Sequence, residues 1–195
     1  MALAEPGRKV NVETGELSPG GAVAGSATVL DFYRPHRRVV LLLFLAPVFY
    51  EFWWYWKLFA FTRREGFPRA RRFWWLLVPI YNWVVLYRQF DDLKQAAIRV
   101  GLPALNSVLA IWLVIFSWLA GNSSSRINGA GASFVAFVVS GVLIAIVGSL
   151  VQPTANAYLK NKYPDAAPIG MTWGEITATV LGILSFALVA LVTVA

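Results

Sequence analysis

The chain has 195 residues, of which 58% are hydrophobic and only 14% charged, with a mean hydropathy of +0.60 and a formal charge of +7. Apolar residues in that proportion, gathered in long blocks, exclude an ordinary soluble domain. The absence of cysteine excludes a disulfide framework, a thiolate nucleophile and a cysteine zinc site, and the single histidine, His36, lies in a basic flank with Arg34, Arg37 and Arg38. The positive charge hugs apolar segments, which is the pattern of membrane topology and anionic-lipid contact rather than of nucleic-acid binding.

Residues 1–30 are small and polar and bury too little to fold alone, so a disordered basic cytoplasmic tail is expected over 1–38. Glu5, Glu13 and Glu16 argue against a signal peptide there. Five apolar segments follow, over about 39–61, 73–87, 102–120, 132–151 and 173–195. Backbone groups in lipid must be satisfied internally, so the segments are expected to be helices. The fold class is therefore all-α, an integral membrane helical bundle with about five membrane segments in one domain, 39–195.

The first segment, Val39 to Phe61, carries Pro47 and the densest aromatic run in the chain. Nine of the thirteen residues from Phe49 to Phe61 are aromatic. Trp and Tyr favour the headgroup level of a bilayer, so this stretch works near a membrane–water boundary. As one helix the segment would reach roughly 34 Å, enough to span. The second segment is short, with Pro79 and Asn82 near its middle, and either spans with help from Trp74, Trp75 and Tyr87 or re-enters. An amphipathic surface helix is expected over 88–100, with Phe90, Leu93, Ala97 and Val100 on one face and an Arg88–Asp92 pair. Of the remaining three spans, the fourth ends at Gln152 and Pro153, and the fifth opens on Thr172-Trp173-Gly174-Glu175, the spacing of a capping box. Gly141, Ala145 and Ser149, with Ala178 and Gly182, make small-residue stripes for close helix contact.

The lysines and arginines set the orientation. Residues 88–101 and 152–172 belong inside and Asn122 to Gly129 outside, which puts the N-terminus in the cytoplasm and the C-terminus outside. If both early segments span, the arginine-rich stretch 62–72 falls outside; if both dip in and return at Pro47 and Pro79, every basic residue except Arg126 faces the cytoplasm. Length favours spanning, and charge favours dipping. Spanning is the expectation retained.

The two early segments also resemble each other. Tyr50-Glu51 through Lys57 lays over Tyr81-Asn82 through Arg88, with a proline two or three residues before each tyrosine, so Glu51 falls on Asn82 and Lys57 on Arg88. An aromatic helix ending in a basic residue, then Pro79-Ile80-Tyr81-Asn82 running to Leu86-Tyr87-Arg88, then the Thr-Trp-Gly-Glu entry to the last span, is similar to families of small bacterial multi-pass membrane proteins catalogued as domains of unknown function. The resemblance covers roughly 40–100 and 150–190. It implies a bacterial inner-membrane location and supplies no activity.

Glu51 is the strongest candidate for a functional group, because an ionisable residue inside a membrane segment costs about 2.5–3.5 kcal/mol at mid-depth. A candidate intramembrane polar site is formed by Glu51, Asn82, Lys57 and Arg88, with Arg88 or Arg72 as possible partners of the carboxylate. Asn82, Asn106 and Asn156 read as interhelical hydrogen-bonding groups. Arg63, Arg64, Arg69, Arg71 and Arg72 match anionic headgroups. Asp91-Asp92 lacks a second acidic cluster that would complete a metal site, and no phosphate loop or nucleophile elbow is present. The expectation is a non-enzymatic membrane component without catalytic, cofactor or metal residues. It would act through the bilayer, anionic lipids and a membrane-protein partner or second copy. The alternative is an oligomeric transporter or channel component with a polar path at Glu51 and Asn82.

Overall fold

Proline decides the first feature of the architecture. Pro47 has no N–H to donate and disfavours helical geometry at the residue before it. Ala46 accordingly leaves the helical region, at φ −135° and ψ 53°, and the segment expected as one span over 39–61 is two helices. The computed structural model describes residues 30–124 and 130–194. Its helices are α1 (His36–Leu45), α2 (Pro47–Arg64), α3 (Tyr81–Arg99), α4 (Ser107–Ser124), α5 (Ala130–Lys162) and α6 (Trp173–Val194), with short 3-10 turns at Leu30–Phe32 and Phe73–Leu77. No strand occurs among the described residues.

The long helix α5 is the reference against which the others run. Val39 and Leu43 of α1 pack on Gly148, and Phe44 and Pro47 on Gly141, so α1 climbs α5 against its direction. Past Ala46 the chain returns: Trp54 reaches Gln152, Phe61 reaches Tyr158, and Glu65 bonds Tyr158. α1 and α2 therefore form a helical hairpin that arrives and leaves at the same end of α5. Its apex is level with Gly141, about 16 Å short of the other end of that helix. The single helix expected over 39–61 is corrected to this hairpin.

A second, smaller hairpin follows. The Thr62 hydroxyl bonds Gln89, and Arg69 meets Asp91 and Asp92, so the loop after α2 lies beside the lower half of α3. Phe73 climbs along Phe52 and Phe59, the chain turns through Val78 to Ile80, and α3 descends. Ile80 holds the turn at φ +64°, a left-handed conformation that a β-branched side chain rarely adopts. The expected amphipathic helix over 88–100 is thus the lower part of one helix that begins at Tyr81. Phe90, Leu93 and Ala97 are buried as anticipated, whereas Val100 is exposed. Arg88 does not pair with Asp92, because Arg69 occupies that carboxylate.

α4 and α5 form a third hairpin, pinned where the Ser117 hydroxyl meets the Ser140 carbonyl at 2.9 Å. α6 runs antiparallel to α2, with Gly182 against Ala46 and Gly174 against Trp53. Gly182 and Gly148 leave no room for a Cβ, so the small-residue stripe is used, with Gly148 in the place assigned to Ser149, which is exposed. α5 continues through Pro153 to Lys162, well past the expected end near Val151. Among the described residues α5 is long and apolar enough to cross a membrane from Gly131 to Lys162, while Ser107–Ser123 and Trp173–Leu188 are shorter apolar helices.

Of the expected tail, residues 1–29 lie outside the described residues. Residues 30–34 pack into the bundle, with Phe32 and Arg34 each 1% exposed, whereas Pro35, His36 and Arg37 are exposed. Residues 125–129 of the expected outer loop, including Arg126, also lie outside the described residues.

Candidate functional site

Three polar constellations and one apolar groove are built on this frame. The first closes the mouth of the large hairpin. Glu175, in the first turn of α6, is fully buried and pairs with Arg34 from before α1 and with Arg38 at 3.3 Å. The Tyr50 hydroxyl, from α2, donates at 3.1 Å to the same carboxylate oxygen that Arg38 meets. Arg34 also lies 4.8 Å above the Trp53 ring and donates to the Gly170 carbonyl. Only half of the expected capping box forms: the Glu175 N–H reaches the Thr172 hydroxyl at 3.4 Å, but the carboxylate is turned inward to the arginines. Next to it, fully buried Gln152 accepts from the Trp54 indole at 2.9 Å and donates to Phe32 O and Asn156 Oδ1. Asn156 in turn donates to Arg34 O, so it bonds between segments as expected. Asn82 and Asn106 instead accept from the local N–H groups of Trp83 and Leu109.

The second constellation holds the arginine-rich loop. Glu65 accepts from Tyr158 at 2.7 Å, Tyr163 at 3.2 Å and Lys162 at 2.6 Å. Arg69 grips Asp92 through Nε at 2.8 Å and Asp91 through Nη2 at 2.5 Å, and these bonds raise its guanidinium still further above its ordinary range. The acidic pair Asp91-Asp92 thus serves one arginine. Among the described residues no group of three or more acidic, His or Cys side chains could hold a metal ion.

Third is a chamber of about 400 Å³ between the two hairpins and α4. Glu51 and Asn82, paired by the internal likeness of the two early segments, both line it, together with Tyr55, Ser117, Trp118 and Ser140. Lys57 and Arg88 do not. Lys57 pairs with Asp31 and lies over the rings of Trp53 and Trp56. Among the described residues neither Arg88 nor Arg72 forms an ion pair with Glu51.

The groove runs along α2. Val48, Phe52, Trp56, Phe59 and Arg63 recur at helical spacing down one face, and Arg72, Phe73 and Trp74 form the opposite wall around about 660 Å³. Trp56 and Trp74 are more than half exposed. Arg63 and Arg72 sit at its basic end, and neither forms an ion pair among the described residues. Of the other arginines expected to meet lipid, Arg69 is occupied by the two aspartates, and Arg64 and Arg71 are exposed outside the groove.

Among the described residues, an all-helical fold with one membrane-length helix and aromatic hairpins folded against it is the class that these observations define. No family model, curated protein or solved structure matches the chain.

Proposed function

We propose that the chain is a multi-pass inner-membrane protein that works without chemistry of its own, by holding anionic lipid at the cytoplasmic leaflet. In this reading α4, α5 and α6 cross the membrane and the two aromatic hairpins re-enter from the cytoplasmic side. The charge pattern supports this placement. All described lysines and arginines lie on segments gathered at the Gln152–Lys162 end of α5, and the positive-inside rule makes that end cytoplasmic.

The observation that carries the lipid reading is the groove. Its aromatic floor follows about 22 Å of helix from Val48 to Arg63, a length suited to an acyl chain, and it ends at two arginines that no acidic side chain among the described residues pairs with. An anionic phospholipid supplies both the chain and the phosphate. Replacing both arginines, Arg63→Gln with Arg72→Gln, is expected to remove most of the phosphatidylglycerol that co-purifies with the protein, as counted by native mass spectrometry. Phosphatidylethanolamine retention should change little. Equal retention of phosphatidylglycerol by the variant would refute the site.

The placement has its own test. A cysteine introduced at exposed Pro68 is expected to resist a membrane-impermeant maleimide in intact cells and to react after lysis, whereas Ser124→Cys reacts in both. Labelling of Pro68→Cys in intact cells would put the arginine loop outside and end the re-entrant reading.

A further inference from the structure

The chamber between the hairpins stands apart from the groove, sharing only Val48 and Phe52 with it. Among the described residues its wall carries one carboxylate, Glu51, and no basic side chain. Glu51 has no ion-pair partner among the described residues, and its polar neighbour is the buried hydroxyl of Tyr55, one turn further along α2. Aromatic rings line it as well: Trp83 from α3 and Trp118 from α4 meet edge-to-face at 5.6 Å, and Phe52 and Tyr55 of α2 share the lining.

We propose that this chamber is a binding site for a small organic cation, with Glu51 as its counter-charge and the Trp83–Trp118 pair as the ring surface against which it rests. An unpaired carboxylate in an apolar wall is costly, and a cation entering the chamber removes that cost. Rings attract a diffuse positive charge through their faces, which suits a quaternary or tertiary ammonium group. A divalent metal ion wants six or more oxygen ligands, and one carboxylate cannot assemble that shell. The Ser117 and Ser140 hydroxyls are already hydrogen-bonded to one another. A volume of about 400 Å³ also exceeds what a bare ion needs and falls within the range of small-molecule sites.

The test compares two probes of nearly equal shape, benzyltrimethylammonium and its uncharged carbon counterpart neopentylbenzene, by equilibrium dialysis against the purified protein in nanodiscs. The wild type is expected to bind the cation saturably at one site and the neutral probe without saturation. Glu51→Gln should weaken cation binding by about tenfold or more, while Glu51→Asp, which keeps the charge, stays within about threefold of wild type. Trp118→Ala removes a half-exposed ring and leaves the carboxylate, so it gives a second measure that does not depend on tolerance at Glu51; about threefold weaker binding is expected. No saturable binding by the wild type, unchanged binding in Glu51→Gln or Trp118→Ala, or equal affinity for the neutral probe would each overturn the proposal. So would displacement of the probe by an equal concentration of sodium.

Discussion

Replacing Glu175 by alanine is expected to lower the stability of the folded protein by about 3–5 kcal/mol, the largest single effect of any substitution considered. The reason lies in what is left behind. Arg34 is 1% exposed and draws its main counter-charge from Glu175, so its guanidinium would remain buried without it. Asp31, at 3.6 Å, is a weaker partner that already serves Lys57. Tyr50 and Arg38 would lose the same acceptor. Thermal unfolding of purified protein in a fixed detergent, followed by loss of monodispersity, reads the effect. Burying a charge pair costs desolvation that an apolar pair avoids. The double replacement Arg34→Met with Glu175→Met is therefore expected to be more stable than either single one. A double variant as unstable as the sum of the singles would show that the residues act independently and that no pair exists.

The second large effect concerns a residue with no side chain. At Gly182 a Cβ would collide with the backbone of Ala46 at the apex of the large hairpin, and backbone cannot swing aside as a flexible side chain can. Gly182→Leu should then cost at least about 1–3 kcal/mol by overpacking, and it should separate α6 from the hairpin. Gly131→Leu is the control, because no described residue lies within 4 Å of its Cβ position, and its effect should stay within about 0.5 kcal/mol. The separation can be read from disulfide trapping between cysteines placed at Trp53 and Gly174. Trapping should be efficient in the control background and lost with Gly182→Leu. Equal trapping in both backgrounds would mean that the apex does not depend on the glycine.

The sequence disclosed class and inventory better than it disclosed pairing. Long apolar blocks announced the helices, and α4, α5 and α6 begin within about five residues of where hydropathy placed them. The likeness of the two early segments was the most productive local signal, since Glu51 and Asn82 do come to one chamber. Pro47 marked the break in the first segment, but length argued for a crossing. The chain's turn at Ala46 also meets a contact 136 residues away, Gly182 admitting Ala46, which periodicity cannot register. Glu175 was legible as a cap and not as the centre of an ion-pair cluster, because Arg34 lies 141 positions earlier in the chain. Arg69 looked like its neighbours Arg71 and Arg72, and only the fold of α3 against the loop distinguishes it.

The large hairpin that turns back level with Gly141, and the smaller one beside it, also bear on how such a molecule occupies its membrane. In the placement proposed above, one leaflet accommodates three crossing helices together with both limbs of two hairpins, while the other accommodates the three helices alone. The molecule then displaces more lipid area from the cytoplasmic leaflet than from the opposite one. A body wider at one face than the other is accommodated at lower elastic cost where the bilayer already bends to match it. Its distribution in a cell would accordingly follow membrane curvature as well as lipid charge.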